Sequence, residues 1–161
     1  MKLTALFLLL AVTLIAGCHK NNATTNSEGT LSATVGSSAY TANLTYGVYV
    51  NAIPDLVAIG LVPAAKDTTF LKLSLPYPLP LNLPFSTDTT ICTLSYYTSS
   101  GSKSYDAYTG FGHGLVTISL FDTVNHKISG TFSGTLLNDY TPNSDSIVIT
   151  NGKFNTAYVA E

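Results

Sequence analysis

A strict alternation of apolar and hydroxyl side chains in the C-terminal half constrains the fold most strongly. In GLVTISLFDTVNHKISGTFSGTLL, residues 114–137, the apolar residues Val116, Ile118 and Leu120 alternate with threonine and serine. Such alternation predicts a strand with these three side chains on its core face. The segment DTVNH then supplies turn residues, and the apolar positions resume at Ile128. The pattern predicts an antiparallel β-hairpin.

The same periodicity continues through most of the chain, and Gly, Pro, Asn and Asp separate the apolar segments. The predicted strands are residues 31–36, 39–45, 47–53, 56–62, 69–75, 90–97, 114–121, 127–137 and 146–158. Strands of this number and length predict an all-β fold, an antiparallel sandwich or partly open barrel of about eight to nine short strands. A length of 161 residues suits one domain, which we place at residues 31–161.

Three local features qualify this pattern. Gly130 and Gly134 interrupt a predicted strand, which favours a bend covered by an aromatic side chain, or a groove that faces a ligand. Asn151-Gly152 fits either a tight turn or a bulge that returns Phe154 to the core. Four prolines in LPYPLPLNLPF, residues 75–85, exclude a central strand and favour an extended cover along a sheet edge.

The N-terminus is predicted to carry an export signal. The apolar residues 3–16 would span ~21 Å as a helix, against the ~30 Å of a bilayer core, which fits a signal peptide better than a membrane span. Small residues precede Cys18, and Ile15-Ala16-Gly17-Cys18 resembles the bacterial lipobox. That resemblance implies removal of residues 1–17 and acylation of Cys18, followed by a polar tether over residues 18–30. An ordinary secretory signal and a metal site at Cys18 are the alternatives.

The lipobox also implies a location and a first partner. Acyl chains on Cys18 would bind the membrane, and two or more chains make such attachment stable. Residue 19 is His rather than Asp, which implies delivery to the outer membrane, on its periplasmic side or at the cell surface. Charged residues make up only 10% of the chain and Arg is absent, so we expect no nucleic-acid partner.

Catalytic motifs are missing from the sequence. It contains no nucleophile elbow, zinc-protease motif, Cys pair motif or phosphate loop. His19 lies in the tether, His113 precedes a strand, and His126 lies in the hairpin turn with Asp122, too far from His113 for a shared metal. Cys92 lies in an apolar strand pattern and is predicted to be buried. We therefore predict no catalytic residue, no metal and no cofactor.

The aspartates are explained better as turn-forming residues than as catalytic or ion-binding residues. The seven aspartates, which lie mostly at predicted turns, are Asp55, Asp67, Asp88, Asp106, Asp122, Asp139 and Asp145. In NDYTPNSDS, residues 138–146, oxygen ligands are dense enough for Ca²⁺, although an ordinary loop is the simpler interpretation.

Tyrosines are the last candidates for binding. Tyr96, Tyr97, Tyr105 and Tyr108 surround the segment SSGSKS. Exposed tyrosines can stack on a sugar or anchor a protein partner, because the ring is stiff and amphipathic. Aromatic packing at strand ends is the alternative, and the absence of Trp weakens a carbohydrate-binding interpretation.

The C-terminal half also resembles a known family. The segments VTISLFDTVNHKISGTFSGTL and DSIVITNGKF are similar to an uncharacterised lipoprotein domain family of the Bacteroidota, and LSATVGSSAYTAN resembles its opening strand pair. Tyr40 stands where that family frequently has Trp. The resemblance implies an all-β domain anchored in the cell envelope. It assigns no catalytic residue.

Together these features predict a lipid-anchored envelope lipoprotein whose β-domain binds an unknown protein or small molecule, or has a structural role, without catalysis. A carrier with an apolar barrel interior is the alternative. An envelope hydrolase fits less well.

Overall fold

The computed structural model describes residues 29–42, 44–50, 55–63, 68–76, 80–89, 92–98, 103–139, 141 and 144–160. These residues form strands, turns and irregular segments. A helix long and apolar enough to cross a membrane is not found among them. The predicted signal peptide and Cys18 lie outside this part of the chain.

The described part of the chain contains eleven strands, and they confirm the all-β fold class. Nine of them match the predicted strands, and two short strands, β6 and β8, are additional. The strands are β1 (Thr30–Val35), β2 (Ser38–Thr41), β3 (Leu44–Val50), β4 (Asp55–Pro63), β5 (Thr68–Pro76), β6 (Pro84–Ser86), β7 (Thr93–Tyr97), β8 (Ser104–Ala107), β9 (His113–Asp122), β10 (Lys127–Leu137) and β11 (Ser146–Ala160).

The strands pair into one curled sheet that folds back into two facing layers. Strands β2, β1, β11, β10, β9 and β6 are neighbours in a six-stranded layer, and every pair in it is antiparallel. Strands β3, β4, β5, β7 and β8 are neighbours in a five-stranded layer, again antiparallel. The fold therefore combines the predicted sandwich with features of a partly open barrel.

Two corners join the layers. At one corner β3 runs parallel to the end of β11, with Gly47 opposite Tyr158. A Cβ atom on Gly47 would lie 2.9 Å from the Cβ of Tyr158, so only glycine allows this close approach. At the other corner β8 meets β10 through a single residue pair, Leu137 and Asp106.

The core lies between the layers. Leu71, Leu73 and Leu75 of β5 face inward in strict alternation with more accessible residues. Ile118 and Phe132 meet them from the six-stranded layer as members of the same buried cluster. Cys92 belongs to this cluster as well, and its burial was predicted.

The prediction that Leu120 faces the core is wrong. Ser129 pairs with Leu120 and Gly130 with Ile118, so Ser119 is an extra residue on β9 and forms a bulge. The bulge shifts the alternation by one position. Leu120 therefore points outward with 43% of its surface exposed.

A second bulge lies at the Asn151-Gly152 position, one of the two predicted alternatives. Phe132 pairs with Gly152 and Gly134 with Ile149, which leaves one more residue on β11 than on β10. Asn151 adopts a left-handed backbone with φ 54°, a conformation that Asn tolerates better than most residues. The bulge keeps Phe154 in the core, as predicted.

Aromatic cover is confirmed at Gly130. A Cβ on Gly130 would lie 2.8 Å from the ring of its cross-strand partner Phe154, and one on Gly152 would lie 2.6 Å from the ring of its partner Phe132. The two glycine–phenylalanine pairs are reciprocal, because each strand contributes the glycine to one pair and the phenylalanine to the other. The alternative, a ligand-facing groove at Gly130, is wrong because Phe154 fills the space. Gly134 instead lies against backbone atoms of His113 and Gly114 and the Leu136 side chain.

From residue 80 onward, the proline-rich segment covers a sheet edge. Leu81 bridges to Ile118, and the Asn82 N–H donates to the Ile118 carbonyl at 2.8 Å. Strand β6 then pairs with β9 at the end of the strand order. The prediction of an edge cover is confirmed for residues 80–85, and residues 77–79 lie outside the described part. It is wrong for Leu75 and Pro76, which end β5, a strand between β4 and β7, and pair with β4.

Candidate functional site

A recess opens between the two layers at the end where β11 begins. Tyr40 projects into it from β2, because it is the one inward-facing residue of that strand. Tyr96 projects into it from β7, where it pairs with Leu71 on one side and Tyr105 on the other. The rings of Tyr40 and Tyr96 meet edge to face, with centroids 6.3 Å apart. We call this opening the tyrosine recess.

The tyrosine recess has a volume of about 370 Å³, within the range of small-ligand sites. Its described lining is uncharged and combines aromatic, hydroxyl and aliphatic groups, including Ser38, Tyr40, Thr41, Thr69, Tyr96 and Ile147. Such a lining suits an uncharged ligand that offers both an apolar face and hydrogen-bonding groups.

Tyr40 links the layers through its hydroxyl group. That oxygen accepts a hydrogen bond from the backbone N–H of Leu71 at 3.2 Å. Burial raises the pKa of Tyr40 to about 12, so the hydroxyl is neutral at any physiological pH. Burial also raises the pKa of Tyr96. Both hydroxyl groups are therefore neutral, and that of Tyr40 is bonded to the Leu71 N–H.

Lys103 and Asp145 form an ion pair beside the tyrosine recess. Lys103 Nζ donates to Asp145 Oδ2 at 2.7 Å, and the Tyr105 hydroxyl donates to the same oxygen at 2.8 Å. The hydrogen bond from Lys103 is the main reason that the pKa of Asp145 is lowered. These bonds join β8 to the segment before β11. The Tyr105 ring also lies against Tyr96, with centroids 6.4 Å apart.

The four tyrosines that the sequence suggested as binding residues do not all lie together in the fold. Tyr96 and Tyr105 contact each other near the recess, whereas Tyr97 lies on the opposite strand face and stacks on Phe70 at 4.2 Å. Tyr108 packs against Phe111 in a separate turn. Tyr40 was missed as a site residue because only the pairing of the layers brings it to Tyr96. Its inward position in a short alternating strand was the available signal.

His113 contacts the side chain of Asp88. Its Nδ1 atom lies within hydrogen-bonding distance of Asp88 Oδ2, and both side chains are largely exposed. The neighbouring Thr87 is fully buried, and its hydroxyl accepts from the Gly114 N–H at 2.8 Å. The arrangement attaches the segment after β6 to the start of β9.

His126 and Asp122 lie at the far end of β9 from His113. Asp122 Oδ1 accepts from the backbone N–H groups of Val124 and Asn125, each at 2.9 Å. The side chain of Asn125 is the largest cause of the lowered pKa of Asp122. His126 packs edge-on against Tyr158. Among the described residues, no three His, Cys, Asp or Glu side chains converge as a metal site would require.

In the loop that raised the possibility of Ca²⁺, the described carboxylates already accept hydrogen bonds from other residues of the protein. Asp139 Oδ1 accepts from the backbone and the hydroxyl of Thr141, at 2.8 and 2.6 Å, and Asp145 is held by Lys103. The side-chain bond from Thr141 is the main cause of the lowered pKa of Asp139. These are the contacts of an ordinary turn-rich loop.

A second hollow lies on the outer face of the six-stranded layer, beside the β11 bulge. It has a volume of about 310 Å³, and Thr117, Thr131, Asn151 and Lys153 contribute to its lining. Thr117 and Thr131 are paired, as are Thr131 and Lys153, so the hollow lies on a row of polar side chains across three strands. Its described lining contains Phe132 and the charged Lys153, whereas the described lining of the tyrosine recess contains two tyrosines and no charged residue.

Comparison of the chain with protein-family models, with curated proteins and with solved structures found no match in any of the three.

Proposed function

We propose that this chain is a non-catalytic binding domain of the bacterial cell envelope, held at the outer membrane by acyl chains on Cys18. Its ligand binds at the tyrosine recess. The anchor follows from the lipobox resemblance at residues 15–18. The binding role rests on the geometry of the recess.

One observation carries the binding role: two tyrosines from opposite layers line an open, uncharged recess. Tyr40 and Tyr96 both line this space, and their rings meet edge to face. A charged ligand would lose its hydration there without gaining a counter-ion from the described lining. We therefore assign an uncharged ligand. The buried side chains of Leu71, Ile118 and Phe132 occupy the space between the layers, which favours a site at the recess over a carrier interior.

Mass spectrometry of protein purified natively from its membrane tests both parts. The intact mass should correspond to a chain that lacks residues 1–17 and carries acyl groups on Cys18. An unmodified thiol with the leader retained would refute the anchor.

For the ligand, the spectrum under native conditions should show a small-molecule adduct that is lost in Tyr96→Ala. Tyr97→Ala is the matched control, because Tyr97 is the next residue but stacks on Phe70 on the opposite face. An adduct that survives Tyr96→Ala as well as it survives Tyr97→Ala would place the ligand elsewhere.

A further inference from the structure

Exposed apolar side chains concentrate at one end of the molecule. Seven large hydrophobic side chains are exposed among the described residues, and five of them lie in the half that carries the β9–β10 turn. We call these five the apolar end: Leu81 (47% exposed), Leu83 (63%), Leu120 (43%), Val124 (83%) and Val159 (63%). A concentration of this kind on a folded domain marks an interaction surface.

Defined contacts hold these residues outward. The Ser119 bulge turns Leu120 away from the core. The turn that carries Val124 is fixed to β11, because the Tyr158 N–H donates to the His126 carbonyl at 2.9 Å and the Tyr158 hydroxyl to the Asp122 carbonyl at 3.3 Å. The apolar end is therefore a fixed feature of the fold.

The chain enters the fold at this same end. Thr30, the first residue of β1, pairs with Asn155, which pairs with Ser129, which in turn pairs with Leu120. Thr30 lies twelve residues after Cys18. A chain of that length spans roughly 20 Å as a coil and about 40 Å at full extension. An anchor at Cys18 would therefore hold the apolar end close to the membrane.

The charges at the apolar end are compatible with a lipid surface. The Asp122 carboxylate is satisfied by donors of its own turn, including Asn125 Nδ2 at 2.7 Å. Lys127, directly after the turn, is exposed. A lysine beside apolar side chains favours the headgroup region of an anionic bilayer.

We propose that the apolar end lies against the lipid surface that holds the acylated Cys18. The tyrosine recess then faces away from that membrane. Val35, which lines the recess, pairs with Ile149. Ile149 lies six residues along β11 from Asn155, the partner of Thr30, so the recess is ~20 Å from the level of Thr30 along the strand. This proposal rests on the lipid anchor proposed above, and it adds an orientation that the anchor alone does not determine.

Fluorescence quenching by lipid tests the orientation. The full lipidated protein would carry one new cysteine, Val124→Cys or Leu83→Cys at the apolar end, or Ser37→Cys in the β1–β2 turn near the recess. Acylation occupies the Cys18 sulfur. Burial shields Cys92 and raises the pKa of its thiol to about 11, so an environment-sensitive dye should label only the new site. Each protein is then reconstituted into phosphatidylethanolamine and phosphatidylglycerol vesicles that contain lipid brominated on its acyl chains.

Groups at an interface lie roughly 5–10 Å into the headgroup–acyl boundary, so we expect at least about twofold quenching at positions 83 and 124 and little at position 37. Equal quenching at both ends, or none at positions 83 and 124, in protein whose acylation is confirmed by mass spectrometry, would overturn the orientation and leave the anchor intact. Protein without acyl groups on Cys18 would overturn both proposals.

Discussion

Replacing Gly130 by alanine tests whether the reciprocal glycine–phenylalanine pairs determine how β10 and β11 pack. The new Cβ would lie 2.3 Å from the carbonyl oxygen of Thr117 and 2.8 Å from the ring of Phe154. Real Cβ atoms do not approach other atoms so closely, so the strand or the ring must shift. Overpacking of this kind costs about 1–3 kcal/mol. Against a total stability of about 5–15 kcal/mol, such a loss is readily measured.

Urea unfolding followed by far-ultraviolet circular dichroism measures this loss. Thr131→Ala is the matched control, because Thr131 is the adjacent residue and its side chain faces solvent. We expect a change within about 0.5 kcal/mol for that variant. Phe154→Leu provides a second background in which the ring is absent.

The double variant Gly130→Ala/Phe154→Leu separates the two contacts. If the ring causes part of the conflict, the cost of Gly130→Ala should fall by at least about 0.5 kcal/mol in the Phe154→Leu background, without disappearing. Some cost should remain, because the Thr117 carbonyl is still in place. A Gly130→Ala variant as stable as the parent protein would refute the steric argument. An equal cost in both backgrounds would refute the role of the ring.

Three further predictions concern other contacts. Tyr40→Phe should destabilise the fold by about 0.5–1.5 kcal/mol in urea unfolding, because it removes the buried hydrogen bond from the Leu71 N–H to the tyrosine hydroxyl; an unchanged midpoint would contradict this. The pKa of Asp145 lies below its ordinary value of 3.8, chiefly because Lys103 donates a hydrogen bond to the carboxylate. The ionised Asp145 therefore stabilises the fold above about pH 4, and this stabilisation is lost as the pH falls through the lower pKa of the folded state. Asp145→Asn should therefore flatten the acid limb of the unfolding midpoint plotted against pH, and an unaltered limb would show that the ion pair does not contribute. Cys92 should resist thiol reagents at neutral pH in folded protein and react once urea unfolds it, because burial raises its pKa to about 11; fast labelling of folded protein would contradict its burial.

Local sequence patterns were sufficient to predict nine of the eleven strands in the described residues. Side chains of a strand alternate between faces, so the apolar alternation around Val116 and Ile118 identifies β9 without further information. Strand β6 was missed because Pro84 and its neighbours exclude a central strand, although they permit an edge strand. Strand β8 was missed because it is only four residues long.

The candidate site could be predicted only in part. Tyr96 and Tyr105 were expected to lie together, and they do because β7 and β8 are joined by a short connection. Tyr40 lies 31 positions before Leu71 in the chain, and no local pattern links them. Their contact depends on the folding of the sheet into two layers.

The sequence by itself determined the all-β class, the position of most strands and the resemblance of residues 15–18 to a lipobox, since each of these depends on short-range pattern. Only the tertiary structure decided which side chains face outward at the ends of the strands. One extra residue at Ser119 reverses the face of Leu120, and such a bulge is defined by hydrogen bonds to a neighbouring strand rather than by the strand's own residues. The same non-local pairing places the tyrosine recess at one end of the fold and the start of β1 toward the other.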